Sequence, residues 1–209
     1  IYIGEIAPRK VNEILKPTIE ILAGIPSVVL GFLGILVLSP FMRETFNLPT
    51  GLTAFTGAFL LALIAIPTIV SIAEDALYAV PNTYRDAAYA LGASKWQVIW
   101  QVVLPAAKSG ILTAVMLGVG RSLGETMAVM MVTGNAPTVF SGLNSFIAPV
   151  RTMTATIASE MGEVATGSLH YRILFFIGII LFIFSLIINI SSSKSLSKVS
   201  AKNRAKMVS

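Results

Sequence analysis

Cysteine is absent from the 209 residues, and histidine occurs once, at His170. Disulfides, thiol nucleophiles and cysteine-bound metals are therefore excluded, and a histidine-based metal site has too few ligands. The same shortage argues against an intramembrane protease. Charge is also scarce: Asp, Glu, Lys and Arg make up 12% of the chain, against about a quarter in a soluble domain. Mean hydropathy is +0.82. Lipid must then be the solvent for much of the molecule. No Walker A run occurs, so a nucleotide, if one is used, belongs to another polypeptide. The net charge of +5 would suit nucleic acid in a soluble protein. Here the basic residues gather at membrane ends and in the tail, so no nucleic-acid partner is expected.

What is present is apolar and long. Residues 21–42, 51–73, 110–133 and 171–190 each approach the roughly 20 residues that a helix needs to cross the hydrocarbon. The expected fold class is all-α, a polytopic membrane helical bundle with about four complete spans within residues 21–190. Arg9, Lys10 and Lys16 precede the first span, Arg85, Lys95 and Lys108 lie between the second and third, and Lys194, Lys198, Lys202, Arg204 and Lys206 follow the last. The opposite loops hold chiefly Arg43 and Arg151. The excess of positive charge places both termini and the central loop in the cytoplasm, in a multi-pass protein surrounded by membrane lipid. Gly24, Gly31, Gly34, Gly57, Ala58, Gly118 and Gly120 allow close helix approach in lipid. Pro67 is expected to kink the second span. The fourth span is Ile, Leu and Phe all round and reads as a peripheral, lipid-facing helix.

Residues 1–20 read as the end of a preceding span and a cytoplasmic connection, with upstream spans missing. The outer loop, residues 134–170, is rich in hydroxyls, Ser141 and Ser159 among them. Met153, Ile157, Met161 and Val164 recur there at helical spacing, so a short helix is expected, packed on the span ends or docking a partner. Glu160 and Glu163 read as its solvated face and His170 as an interfacial anchor beside Tyr171. The Ser- and Lys-rich tail, residues 191–209, is expected to be disordered or to lie on anionic headgroups.

Two stretches carry more information. In residues 74–105, Pro81-Asn82 opens a helix through Arg85 and Leu91, Gly92 supplies a left-handed cap, and Ser94 with Gln97 forms a capping box. A second short helix should follow, with Trp96, Ile99, Trp100 and Val103 as its apolar face and Pro105 closing it. In the third span, Arg121 and Glu125 stand four residues apart, hence on one helix face. Charges in hydrocarbon cost roughly 2.5–3.5 kcal/mol each, so they face a pathway or one another. An arginine fork suits a tetrahedral oxyanion. Glu125 either orients Arg121 or accepts the proton that hydrogen phosphate carries and sulfate lacks. The glycines of Gly118-x-Gly120-x-x-x-Gly124 have no strand before them and read as helix packing.

The run DAAYALGASKWQVIWQVVLP resembles the "EAA" signature of ABC-importer permeases. By that resemblance residues 74–105 are a coupling loop whose Asp86, Ala87, Ala88 and Gly92 contact an ATPase subunit; Asp86 stands where Glu is commonest. The runs GRSLGETMAVMMVTGN, IPSVVLGFLG and SLHYRILFFIGIILFIFSLIIN resemble the C-type permease subunit of the phosphate-specific transport (Pst) system, over nearly the whole chain. The resemblance implies a type I ABC importer transmembrane fold in the bacterial cytoplasmic membrane. It also implies a phosphate pathway holding Arg121 and Glu125, and partners: a second, A-type permease, an ATPase dimer carrying ATP and Mg²⁺, and an extracytoplasmic phosphate-binding protein. The chain itself would be no enzyme and bind no cofactor or metal. Importers of phosphonate, molybdate or sulfate, a channel, and a structural subunit are the alternatives.

Overall fold

A computed structural model describes residues 2–138 and 142–208, so Ser141 lies outside the described residues. The chain forms α1 (Arg9–Gly24), α2 (Ser27–Leu33), α3 (Ser39–Thr45), α4 (Ala54–Tyr78), α5 (Asn82–Ala90), α6 (Lys95–Gln97), α7 (Leu104–Gly124), α8 (Met127–Val132), α9 (Met153–Glu160) and α10 (Leu169–Val208). Wide π-helical turns occupy Tyr2–Ile6, Gly34–Leu38 and Val98–Val103.

Each π turn ends two residues before a proline: Pro8, Pro40 and Pro105. A proline ring clashes with the carbonyl four residues back and cannot donate to it. In all three places the residue before the proline reaches five residues back instead. Ala7 donates to Tyr2, Ser39 to Gly34 and Leu104 to Ile99. The wider turn moves the crowded carbonyl aside; at Pro40 and Pro105 the helix continues through the proline, whereas at Pro8 the chain bends and α1 starts anew at Arg9. Pro105 therefore closes nothing. The helix that starts at the Ser94 cap runs on as one 30-residue element, Lys95–Gly124. At 1.5 Å per residue that is about 45 Å, longer than the roughly 30 Å of hydrocarbon.

Among the described residues, four elements are long and apolar enough to cross a membrane: Ser27–Thr45, Ala54–Tyr78, Lys95–Gly124 and Leu169–Ile190. The first begins later than expected because Pro26 caps α2, and the preceding residues form a separate helix, α1. The third is displaced from residues 110–133 for the reason just given. The fourth has Ile173, Phe176, Ile179, Phe182 and Phe184 exposed along it and only Leu174 fully buried, as a lipid-facing helix requires. Its backbone stays helical to Val208. Helical backbone thus replaces the first of the two expectations for the tail, disorder; after Gly178 no glycine or proline interrupts the run.

The chain divides into two compact units. One takes the residues up to Gly24, Ile66–Gly120 and those from Ile188 on; the other takes Ile25–Ala65 and Arg121–Ile187. In the first, Leu77, Val80, Val98, Val103 and Ala107 form the core, with Ala88 and Ala93 packed against it. In the second, Leu60, Ile64, Ala128 and Val132 form the core, with Leu30, Ile35 and Met131 beside them. Here α2 lies close on α8. A Cβ on Gly31 would stand 2.8 Å from the Ala128 Cα and 3.0 Å from the Met131 sulfur. Backbone cannot yield as a side-chain end can. Gly31→Ala is expected to destabilise the detergent-solubilised protein by about 1–3 kcal/mol, read as a lower thermal unfolding midpoint. Gly120→Ala, with nothing within 4 Å, should leave that midpoint in place.

Candidate functional site

The Asn82–Leu91 segment owes its shape to its two ends. Pro81, with φ −57° and ψ 139°, supplies the extended residue that precedes α5. At the other end the Gly92 N–H donates to Tyr89 at 2.9 Å and the Ala93 N–H to Ala88 at 3.1 Å, with Gly92 at φ +83°. That is a Schellman cap, in which only glycine takes the left-handed conformation without cost. Ser94 then caps α6, accepting from the Gln97 N–H, while the Gln97 side chain accepts from the Ser94 N–H at 2.7 Å. The two-helix element read from the sequence is therefore present, hinged at Gly92.

Its faces differ from the expectation. Asp86, Ala87 and Gly92 are exposed, whereas Ala88 is half-buried and packs on the core. Ile99 and Val103 are buried as expected, but Trp96 and Trp100 are 59% and 61% exposed. The π turn at Val98–Val103 shifts the register, so Val98 takes the inner position. Tyr89, Leu91, Trp96 and Trp100 form an uncovered apolar surface around the hinge; Leu91 is 90% exposed. Such a surface on a folded chain marks a contact with a partner or a membrane interface.

Arg85 carries a role the sequence reading did not assign beyond topology. It is, with Ala88 three residues on, one of the half-buried residues of α5. Its Nη1 donates to the Val80 carbonyl at 2.6 Å and its Nη2 to the Leu77 carbonyl at 3.1 Å and to Glu5 Oε1 at 2.6 Å. The available signal was a charge on the inward stripe of a short amphipathic helix.

Arg121 and Glu125 do not share a helix. α7 ends at Gly124, the Thr126 hydroxyl donates to the Gly124 carbonyl at 3.2 Å, and α8 starts at Met127. Arg121 sits exposed in the last turn of α7. Glu125 is half-buried in the break, and its Oε1 accepts from the Ala128 N–H at 3.4 Å, capping α8. The Glu125 carbonyl accepts from the Thr154 hydroxyl of α9 at 3.4 Å. The i, i+4 face argued from spacing is thereby replaced by a helix break that still places both charges within five residues. Non-helical backbone at membrane depth is tolerated only where protein buries it or water lines it.

Beyond the break, α9 is a short helix within the stretch where one was expected, capped by the Thr152 hydroxyl and ending at Glu160, one turn before Val164. Glu160 does not form a solvated face. It pairs with Arg151 and its Oε2 accepts from the His170 Nε2 N–H at 2.7 Å, tying the end of α9 to the start of α10. Arg151 Nε also donates to the Asn135 carbonyl at 3.1 Å. Among the described residues, no group of three or more His, Cys, Asp or Glu stands ready to hold a metal.

A family model described as "Binding-protein-dependent transport system inner membrane component" matches residues 1–197, and the chain belongs to that family. It is 40% identical over 198 residues to the probable ABC transporter permease protein YqgH of Bacillus subtilis, covering 93% of this chain and 63% of that one. Phosphate transport system permease proteins PstC are also similar. That of Mesorhizobium japonicum is 35% identical, over 98% of this chain and 67% of its own length. That of Haemophilus influenzae is 33% identical, over 95% and 68%. The chain thus spans about two thirds of the length of these relatives. Among solved structures, an inward-facing MetNI methionine ABC transporter matches with a TM-score of 0.68 at 20% identity, covering 93% of this chain and 78% of that chain. The fold is accordingly the all-α transmembrane fold of type I ABC importers, in a multi-pass inner membrane protein.

Proposed function

We propose that this chain is a permease subunit of an ATP-driven importer that carries inorganic phosphate across the cytoplasmic membrane, with its C-terminus in the cytoplasm. The observation that carries the reading is the arginine and carboxylate at a helix break among apolar spans, in a chain whose relatives are named phosphate transport permeases. An exposed guanidinium offers planar, bidentate recognition of a tetrahedral oxyanion. Glu125 spends one carboxylate oxygen on the Ala128 N–H, and the other can accept the proton of hydrogen phosphate. A sulfate dianion brings no such proton and would be repelled.

The remaining parts follow from the same reading. Asp86, Ala87 and Gly92, with the uncovered apolar residues around them, form the face offered to an ATPase dimer, while Ala88 supports it from within. ATP and Mg²⁺ reside on those partners. A second, A-type permease completes the pathway, and an extracytoplasmic phosphate-binding protein delivers the ion. ATP binding closes the ATPase dimer, moves α5 and opens the spans outward in alternating access. This chain makes and breaks no covalent bond.

The test is labelled-phosphate uptake by proteoliposomes that hold the full complex, with its binding protein and ATP. Excess sulfate, molybdate or phosphonate is added as competitor. Uptake that needs ATP and resists all three supports the reading. Displacement by any of them reassigns the substrate, and uptake without ATP overturns the importer.

A further inference from the structure

Three side-chain links join the N-terminal segment to the end of α4 and the start of α5. Glu5, in the π turn at Tyr2–Ile6, pairs with Arg85 at 2.6 Å, with both side chains largely buried at 11% and 15% exposure. Asn12 Nδ2 donates to the Tyr78 hydroxyl at 2.9 Å. Lys16 Nζ stands 3.7 Å from Glu74 Oε1, whose carboxylate is 5% exposed, and 5.7 Å from the centre of the Tyr78 ring. Of these, the Arg85 link is set apart by what else the guanidinium holds. It also satisfies the Leu77 and Val80 carbonyls, which lie where α4 ends and helical partners run out. One planar group therefore ties three pieces of chain: the Tyr2–Ile6 turn, the last turn of α4 and α5. All three belong to the same compact unit.

We infer that Arg85 and Glu5 form a clamp that makes the N-terminal helix move with α5, so that a displacement of α5 is delivered to α1 as well as to α4. The inference rests on the reading of α5 as the element that docks on the ATPase. Arg85 touches neither nucleotide nor substrate; it is a positioning residue that acts through α5 and α1. Without the Glu5 carboxylate, α5 remains anchored to the α4 carbonyls, and α1 is left with the indirect route through α4 that the Asn12–Tyr78 and Lys16–Glu74 links provide. A largely buried, charge-assisted contact suits this task because its loss leaves the partner charge uncompensated.

The experiment measures phosphate uptake and ATP hydrolysis together in the reconstituted full complex. Glu5→Gln is expected to lower uptake about tenfold, the scale of a lost charge-assisted hydrogen bond, while hydrolysis continues, so more ATP is consumed per phosphate. Glu5→Asp, which keeps the charge, should recover most of the ratio. A wild-type ratio in Glu5→Gln overturns the clamp. Should Glu5→Gln fail to assemble, the lack of native cysteine permits Glu5→Cys with Arg85→Cys, joined by a short thiol cross-linker. Cross-linked complex should couple and unlinked complex should not; equal ratios in both overturn the proposal. Wild-type complex that couples ATP to another oxyanion refutes the phosphate reading alone, because the ratio is then measured with that ion.

Discussion

Replacing Arg121 with glutamine is expected to reduce ATP-driven phosphate uptake by about a hundredfold or more, with the complex assembled in normal yield. The side chain is exposed at the end of α7, and substitutions at such sites usually alter stability little. What glutamine removes is a full charge together with the planar fork that the proposed pathway offers to an oxyanion. Arg121→Lys keeps the charge but loses the fork, so it should fall between the two. Initial uptake rates at saturating binding protein would measure this. Normal uptake in Arg121→Gln would make the charge structural and leave the family membership untouched. Glu125 separates further. Glu125→Gln keeps an acceptor for the Ala128 N–H and loses the charge, so its expected defect is in excluding sulfate rather than in folding.

Gly92→Val is expected to abolish the stimulation of ATP hydrolysis by loaded binding protein, and with it most of the transport. Gly92 sits at φ +83°, and nothing lies within 4 Å of where its Cβ would be. The effect is therefore one of backbone conformation, not of space. Left-handed backbone costs a residue with a side chain roughly 1–2 kcal/mol, and more when the side chain is β-branched. To escape it the chain must give up the bonds from Gly92 to Tyr89 and from Ala93 to Ala88, which hold the angle between α5 and α6. Asparagine visits this region more readily than alanine or valine. Stimulated ATPase activity should thus fall in the order Gly92, Asn, Ala, Val. A flat series would show that the hinge angle is irrelevant to coupling.

The features legible in the sequence were those set by local chemistry. The Gly92 cap, the Ser94–Gln97 capping box and the lipid-facing character of α10 needed only residue types at fixed spacing. The failures came where a neighbouring turn changed the local rule. Pro105 read as a stop because a proline normally ends a helix, and the π turn before it could not be seen from composition. That same turn rotated Trp96 and Trp100 out of the core. Arg121 and Glu125 were found, but their shared helix face was not, because Gly124 and Thr126 end the helix between them. Arg85 was counted as a topology charge; its grip on Glu5 joins residues 80 positions apart, a pairing that spacing rules do not reach.

Trp96 and Trp100 are the two tryptophans of the chain, and both are exposed in the helix that follows the Gly92 hinge. Every photon that this polypeptide emits from indole therefore originates within one turn or so of that hinge helix. Indole emission shifts to shorter wavelength as water is excluded. In a complex whose other subunits have tryptophan replaced by phenylalanine, the colour of that light alone would report whether the surface is wet or covered, with no dye attached and through each turn of the transport cycle.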